Sequence, residues 1–226
     1  MKIREATARL KAAGTAQNQK TYGRHGVGRK MYGVSFAELK QMAKEIKTDQ
    51  RLSEQLWATG NHDARVLATL VADPEAQRSG RLDTCVKEMD NYVIADMFGG
   101  LVARSGFAAK KFPKWSRSKT DHVGQVGWNL LASLALSDEG LSNKAFVEEL
   151  KYIETHIHSA NNRTRHSMNQ ALIAIGARNE ALRKRATAAA RRIGTVDVDH
   201  GETSCKTPAA IPYIDKMWAH KAAKAK

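Results

Sequence analysis

Basic and aromatic side chains alternate between residues 104 and 119, and such a pattern suits contact with phosphates. This segment holds six basic residues and no acidic residue. Lysine and arginine neutralise phosphates, while the rings between them can pack against sugars or bases. The candidate contacts in this block are Lys110, Lys111, Lys114, Trp115, Arg117 and Lys119. The alternative is a solvated helix face, and the pattern alone leaves both interpretations open.

A second basic block lies between residues 163 and 192 and holds eight basic residues and one acid. Arg163 and Arg165 follow Asn161-Asn162 at a predicted helix start, where main-chain amides and side chains could share a phosphate. The glycine-rich loop that ends at Lys30 is either a flexible connector or a phosphate contact, and it lacks the Gly-Lys-Ser/Thr ending of a P-loop. Lys206, in the C-terminal region, could add one more anion contact.

The charge of the whole chain supports a polyanion as the partner. There are 37 basic and 23 acidic residues, which give a formal net charge of +14. Nucleic acid is the leading candidate, although charge alone does not separate DNA from RNA, from an anionic membrane, or from plain solubility. We expect no membrane span, because no run of about 18 apolar residues exists. With only Cys85 and Cys205 and no secretory signal, we expect a cytoplasmic location.

Metal and redox chemistry have little support in the sequence. His200, Glu202 and Cys205, with Asp199 nearby, could ligate a metal, but a structural zinc site needs further ligands. The chain has no Cys-x-x-Cys pair and no dinucleotide-binding glycine pattern. We therefore expect neither a metal nor a cofactor.

The elements that must position these residues are helices. Apolar residues recur three and four apart, as at Phe146, Leu150 and Ile153, which is typical of amphipathic helices. We predict about eleven or twelve helices of roughly 10–17 residues, paired every 35–45 residues or so. That period is typical of an all-α, HEAT-like repeat α-solenoid with a concave basic face, and an irregular all-α bundle is the alternative. We expect one domain, 1–226, with 195–226 as a C-terminal extension ending in a helix.

Local signals predict where some of these helices begin and end. Ser35 and Glu38 form a capping box at a helix start. Asp73-Pro74 places a cap before a proline in the first turn, and Gly176 is a candidate helix end. Only Thr195–Asp199 has the alternation of a short strand.

Three segments, in this order, resemble a known family. They are Tyr32-Gly33-Val34-Ser35, then Leu56-Trp57 with His62-Asp63-Ala64-Arg65, then Met89-Asp90-Asn91-Tyr92-Val93-Ile94-Ala95-Asp96. Together they resemble the AlkD-type DNA alkylation repair glycosylases, which are HEAT-like repeat proteins. Residues 171–176 are similar to a late helix of that family. The likeness covers most of residues 20–195.

The resemblance implies a basic surface that holds damaged or distorted duplex DNA by its phosphate backbone. In the family, the chemistry is the removal of cationic alkylated purines. Asp96 falls at the catalytic aspartate, whose charge would stabilise the cation that develops on the deoxyribose. Tyr92 falls where the glycosylases carry a tryptophan, and a tyrosine still presents a π face to that cation.

Other family positions differ in this chain. The second family tryptophan falls at Gln170, and an arginine that contacts the lesion-bearing backbone falls near Gly124 or Gln125. Trp128, one turn away, is the candidate replacement and a predicted DNA contact. Two hypotheses follow. The chain is a monomeric DNA-binding repair protein that hydrolyses the N-glycosidic bond of alkylated purines, or it is a catalytically inactive relative that binds nucleic acid or protein.

Overall fold

Helices are the regular elements of the described residues, 1–137 and 141–224 of this computed structural model, and the prediction of an all-α protein is confirmed. The helices, in chain order, are α1 (Ile3–Ala13), α2 (Ala16–Arg24), α3 (Phe36–Ile46), α4 (Gln50–Ala58), α5 (His62–Val71), α6 (Ser79–Cys85), α7 (Tyr92–Arg104), α8 (Ala108–Trp115), α9 (Asp121–Leu136), α10 (Asn143–His156), α11 (Asn162–Arg178), α12 (Glu180–Ile193) and α13 (Ala210–Lys224). Two short 3-10 turns, Val86–Glu88 and Ile157–Ser159, follow α6 and α10.

Side-chain caps explain where several helices begin. Ser35 Oγ accepts a hydrogen bond from the main-chain N–H of Glu38 at 3.2 Å, which confirms the predicted start of α3. Asp49 caps α4 and Asn61 caps α5 in the same way. Each bond satisfies one of the amides that the first turn of a helix leaves without a helical partner.

Three local predictions were wrong. Asp73-Pro74 does not begin a helix, because the Asp73 carboxylate accepts from the N–H of Glu75 at 2.9 Å in a tight turn and α6 begins only at Ser79. Gly176 does not end α11, which continues to Arg178 since the turn around the glycine is packed on other helices. The segment 195–199 has no strand partner in the described residues and is an irregular connection.

The chain forms two compact units. The first consists of Met1–Gly106 with His200–Ser204, and the second of the described parts of Phe107–Asp199 and Cys205–Lys226. In the first unit, α5 packs against α3, α4 and α7. Its residues Ala64, Val66 and Leu67 are fully buried, so this helix forms the centre of the unit.

In the second unit, α9 lies between α8 and α11. Trp128 and the two leucines that follow at 130 and 131 are fully buried. Two glycines allow the close approach of the neighbouring elements. A Cβ at Gly127 would overlap the main-chain nitrogen of Ser116 and lie 2.5 Å from its Cα, and a Cβ at Gly124 would overlap the hydroxyl of Thr164.

The C-terminal helix α13 docks on the same unit. Its Ile214 is fully buried beside Gly176, where an added Cβ would lie 2.6 Å from Ile214 Cδ1. Trp218 Nε1 donates to the carbonyl oxygen of Gly176 at 2.9 Å, and the Arg183 guanidinium lies 3.0 Å from the Asp215 carboxylate. Gly176 is therefore a docking position for α13.

Candidate nucleic-acid interface

A buried carboxylate fixes the first segment of the family resemblance. Asp63 is 0% exposed, and its Oδ2 accepts from the N–H groups of Tyr32 at 2.6 Å and Gly33 at 3.1 Å. Its Oδ1 accepts from the N–H of Val34 at 2.9 Å. The carboxylate lies in the first turn of α5, where the helix dipole also favours a negative charge. Asp63 thus holds the chain that leads into α3.

The second segment is held by an ion pair. Arg65 donates to the Glu88 carboxylate and to the Glu88 carbonyl oxygen, both at 3.0 Å. The same carboxylate accepts from Trp57 Nε1 at 2.8 Å, and the Arg65 guanidinium lies 5.1 Å from the centre of the Trp57 indole. Arg65 and Trp57 therefore join α4 and α5 to the turn before α7, and their contacts are structural.

The predicted catalytic residues Tyr92 and Asp96 lie four residues apart on α7. Asn91 caps this helix, since its Oδ1 accepts from the N–H of Ile94 at 3.1 Å. Tyr92 is half-buried, and its hydroxyl is hydrogen-bonded to Nδ1 of His25. Asp96 is exposed to solvent. A side chain that contacts DNA must be open to solvent in the DNA-free protein, so the exposure of Asp96 is compatible with its predicted role, and that role stays a prediction.

A buried histidine lies next to this helix, and the sequence analysis did not single it out. Asn91 Nδ2 lies 3.4 Å from His62 Nδ1, and the Tyr22 ring meets the imidazole edge-on with 5.5 Å between centroids. Burial lowers the pKa of His62, while the carboxylates of Asp63 and Asp90 act in the opposite direction. Because Asn91 Oδ1 is used by the cap, its amide NH₂ faces His62, and the imidazole must accept with an unprotonated Nδ1.

Lys30 is an exposed cation of the first unit, as predicted for a phosphate contact. Its carbonyl oxygen accepts from the N–H of His62 at 2.9 Å, which fixes the end of the glycine-rich loop. A Cβ at Gly60 would lie 2.9 Å from Lys30 Nζ, so the ammonium lies over the C-terminal end of α4. The negative end of that helix dipole stabilises the charge there.

In the second unit, helical periodicity divides the predicted basic block. Lys110 and Lys114 are exposed on α8, and Lys119 is exposed in the loop that follows. Lys111 and Trp115 belong to the opposite face and are only 4% and 2% exposed, with Lys111 Nζ 5.6 Å from the centre of the indole. These two side chains cannot reach a duplex in this structure, because a short amphipathic helix turns every third or fourth residue inward.

Trp128 is buried and cannot make the predicted DNA contact in this structure. It is 0% exposed because α9 is covered by neighbours on both sides. Its ring instead packs at 6.3 Å from Phe112 and 5.8 Å from Tyr152, measured between centroids. The expected replacement for a family arginine is therefore a core residue.

The start of α11 offers fewer donors than the sequence predicted. The carboxylate of Asp121 accepts from the N–H of Arg163 at 3.0 Å and of Thr164 at 2.7 Å, so these amides are already used. Arg165 donates to the carbonyl oxygens of Ala160 at 2.9 Å and Asp197 at 2.8 Å. Arg165 thus holds the segment after α12 in place. Arg163 is half-buried at the helix start.

The C-terminal connection supplies Lys206, which is exposed. The possible metal ligands of this region do not converge: in the described residues, no three His, Cys, Asp or Glu side chains could hold an ion together. The turn instead contains Gly201 at φ +63°, and Thr203 Oγ1 donates to the carbonyl oxygen of His200 at 2.9 Å.

Arg117 occupies a cluster of rings in the second unit. Its guanidinium carbon lies 3.7 Å from the centre of Tyr152 and 5.1 Å from that of Trp128. Glu149 pairs with it at 2.6 Å. The Tyr152 and His156 rings stack with 3.9 Å between centroids and 10° between planes. An open cavity of about 490 Å³ adjoins this cluster, and Lys119, Ser159 and Asn161 contribute to its walls.

Paired helices with exposed cations are the features of a helical-repeat protein that binds nucleic acid. Comparison with known proteins gives the family. The model of the DNA alkylation repair enzyme family matches residues 4–214, and the chain belongs to this family. Two uncharacterized proteins, from Listeria innocua and Listeria monocytogenes, are 28% and 27% identical over 191 residues. Each alignment covers 82% of this chain and 83% of the relative.

A solved structure matches the fold with a TM-score of 0.88 and 26% sequence identity, covering 98% of this chain and 95% of the other. It belongs to a family described as related to the HEAT-like repeat DNA glycosylases with affinity for branched DNA structures. The HEAT-like fold and the resemblance to alkylation repair proteins are thereby confirmed, and with them a DNA-binding function of the repair type. No helix among the described residues is long and apolar enough to cross a membrane.

Proposed function

We propose that this protein binds branched or distorted duplex DNA through the phosphate backbone and does not excise bases. The observation that carries the proposal is the structural match over nearly the whole chain to a protein with affinity for branched DNA. A shared fold alone would be a weak argument. Here it is joined to sequence identity above a quarter and to a strongly positive net charge.

The surroundings of the predicted catalytic residues favour binding over catalysis. Asp96 is exposed in the DNA-free protein, so bound DNA would have to exclude water before this carboxylate could act strongly on a sugar cation. The Tyr92 hydroxyl is engaged by His25, and its ring is half-buried. Trp128, the expected further aromatic group, is in the core. The aromatic surroundings that would stabilise a sugar cation are therefore incomplete.

Exposed lysines supply the phosphate contacts in this proposal. They are Lys30, Lys110, Lys114, Lys119 and Lys206. Each phosphate that a cation neutralises releases counterions, so the affinity falls as salt rises, with a log–log slope of about −0.9 for each contact. Such contacts read no base sequence, which suits recognition of DNA shape.

The test is fluorescence anisotropy with a four-way junction, a fork and a linear duplex of equal length, at several salt concentrations. We expect tighter binding to the branched forms and a steep salt dependence. The variant pair Lys110→Ala with Lys114→Ala should weaken binding at least fivefold. Its control is Lys40→Ala with Lys44→Ala, which removes the same charge from an equally spaced, exposed pair on α3. Equal affinity for all DNA forms would overturn the proposal, as would equal losses in both variants.

Base excision is the second candidate, favoured by the placement of Tyr92 and Asp96 four residues apart on α7. A base-release assay on DNA containing 7-methylguanine or 3-methyladenine decides between the two. We expect no release by the wild type. Release that is abolished in Asp96→Asn, with DNA affinity intact, would establish the glycosylase instead. Tight binding of RNA or of a protein partner with no affinity for DNA would favour the remaining alternative.

We further propose that the protein acts as a monomer in the cytoplasm. The exposed lysines of both units belong to one chain, so phosphate contacts do not require a second copy. Light scattering coupled to size exclusion should give the mass of one chain, 24.9 kDa, with and without DNA. A mass of two chains in the absence of DNA would contradict the monomer.

A further inference from the structure

Three side chains of the second unit form a continuous stack. The Arg117 guanidinium carbon lies 3.7 Å from the centre of the Tyr152 ring, and the His156 ring lies 3.9 Å from the same centre in a nearly parallel plane. Two groups this close to one ring centre would overlap on the same face, because carbon atoms in contact are about 3.5–4.0 Å apart. The order must therefore be Arg117, Tyr152, His156.

The base of this stack is fixed and its far end is open. Arg117 donates to Glu149 at 2.6 Å and to Ser116 Oγ at 2.8 Å. His156 Nδ1 lies 2.9 Å from the carbonyl oxygen of Tyr152, which sets the orientation of the ring. His156 is exposed and lines the open cavity, and Tyr152 covers one face of its ring, so a further planar group would have to stack on the other face.

The adjoining cavity has the chemistry of a nucleotide site. Its volume of about 490 Å³ lies within the range of about 300–1,000 Å³ that ligand pockets occupy. Lys119 and the polar side chains of Ser159 and Asn161 line it next to His156, and none of the described lining residues is acidic. Ser159 Oγ and Asn161 Nδ2 donate to the carbonyl oxygens of His156 and Lys119. A phosphate attached to a planar group on the imidazole would therefore depend on the Lys119 cation.

We propose that the open face of His156 is a platform for an unpaired base of the bound DNA, and that Lys119 contacts the phosphate next to that base. This inference rests on the proposed function, because branch points are where bases lose a stacking neighbour. Aromatic side chains offer such bases a substitute surface whatever their identity. The stack would thereby favour branched over linear DNA without reading sequence.

The test combines a protein variant with a DNA variant. A fork carries three unpaired nucleotides at the branch, and each of them is replaced in turn by an abasic nucleotide. We expect His156→Ala to weaken binding of the intact fork about tenfold and to leave binding of one abasic fork unchanged. His156→Phe should retain most of the affinity, since its ring can stack as well. His220→Ala, an exposed histidine on α13, is the matched control and should bind every fork like the wild type.

Equal losses on intact and abasic forks would overturn the platform, because the two changes would then act independently. Unchanged binding of all forks by His156→Ala would overturn it too. Circular dichroism melts of the variants must match the wild type. If the wild type binds branched and linear DNA equally, the proposed function is wrong. If it prefers branched DNA but His156→Ala weakens binding of intact and abasic forks equally, only the platform is wrong.

Discussion

Asp63→Asn tests whether one buried carboxylate holds the Tyr32-Gly33-Val34 segment on α5. The carboxylate accepts three main-chain hydrogen bonds, two on Oδ2 and one on Oδ1. An asparagine oxygen can replace only one of these atoms. If it takes the place of Oδ2, its NH₂ group faces the N–H of Val34, and two donors oppose each other in a buried site.

The magnitude follows from these bonds. A hydrogen bond to a charged group contributes about 1.5–3 kcal/mol, and a buried donor left without a partner costs about 1–3 kcal/mol. We expect Asp63→Asn to lower the free energy of unfolding by about 3 kcal/mol and Asp63→Ala by about 5 kcal/mol. For a chain of this size, the smaller loss lowers the melting temperature by about 6–12 °C.

Thermal and urea unfolding measure the loss, and Asp49→Asn is the control. Asp49 accepts one amide bond at the start of α4, at 2.9 Å, and asparagine caps a helix about as well as aspartate. The control should stay within about 2 °C of the wild type. Hydrogen exchange at the amides of residues 32–34 should accelerate only in the Asp63 variants. If Asp63→Asn melts like Asp49→Asn and these amides keep their protection, the carboxylate does not hold the segment.

Three further predictions concern packing, titration and thiol reactivity. Gly127→Ala should lower the free energy of unfolding by about 3 kcal/mol, because the added Cβ overlaps the main chain after α8. Gly80→Ala is the control: the space around Gly80 is open, so its free energy of unfolding should be equal to that of the wild type or slightly higher. Burial keeps the pKa of His62 below its unfolded value of about 6.5. The free energy of unfolding therefore keeps its full value above that pH and falls by up to about 1.4 kcal/mol per pH unit below it. Urea unfolding of His62→Gln should show a smaller fall over the same pH range. Burial raises the pKa of Cys85 to about 11, so Ellman's reagent at pH 8 should label only the exposed Cys205 in the folded protein, and labelling of both thiols would contradict this.

Helix content and several helix starts could be predicted because they depend on local sequence. The capping box at Ser35 and the three-and-four spacing of apolar residues act within one or two turns. Contacts between distant segments could not be predicted in this way. Asp121, 42 residues earlier in the chain, accepts from the N–H of Arg163, so this amide is not open to the phosphate expected there.

The candidate site was predicted less well because residue type does not fix the direction of a side chain. Lys111 and Lys114 look alike in a basic block, yet the turn of α8 buries the first and exposes the second. Trp128 was predicted to replace a family arginine as a DNA contact, but α9 is covered on both sides. Glu149, Tyr152 and His156 are three and four residues apart on α10, and this spacing could have predicted that their side chains share one face of the helix.

In this chain, the contacts made by the motifs that carry the family resemblance are mainly structural. Asp63 holds the segment before α3, and Arg65 joins Trp57 to Glu88. Asp96, the position predicted for catalysis, is exposed on α7. A sequence can therefore keep the residues that build a helical-repeat scaffold while other family positions differ, as where Tyr92 and Gln170 fall at tryptophans of the glycosylases. Because phosphate contacts need only exposed cations on that scaffold, we expect DNA binding to tolerate such changes better than base excision does.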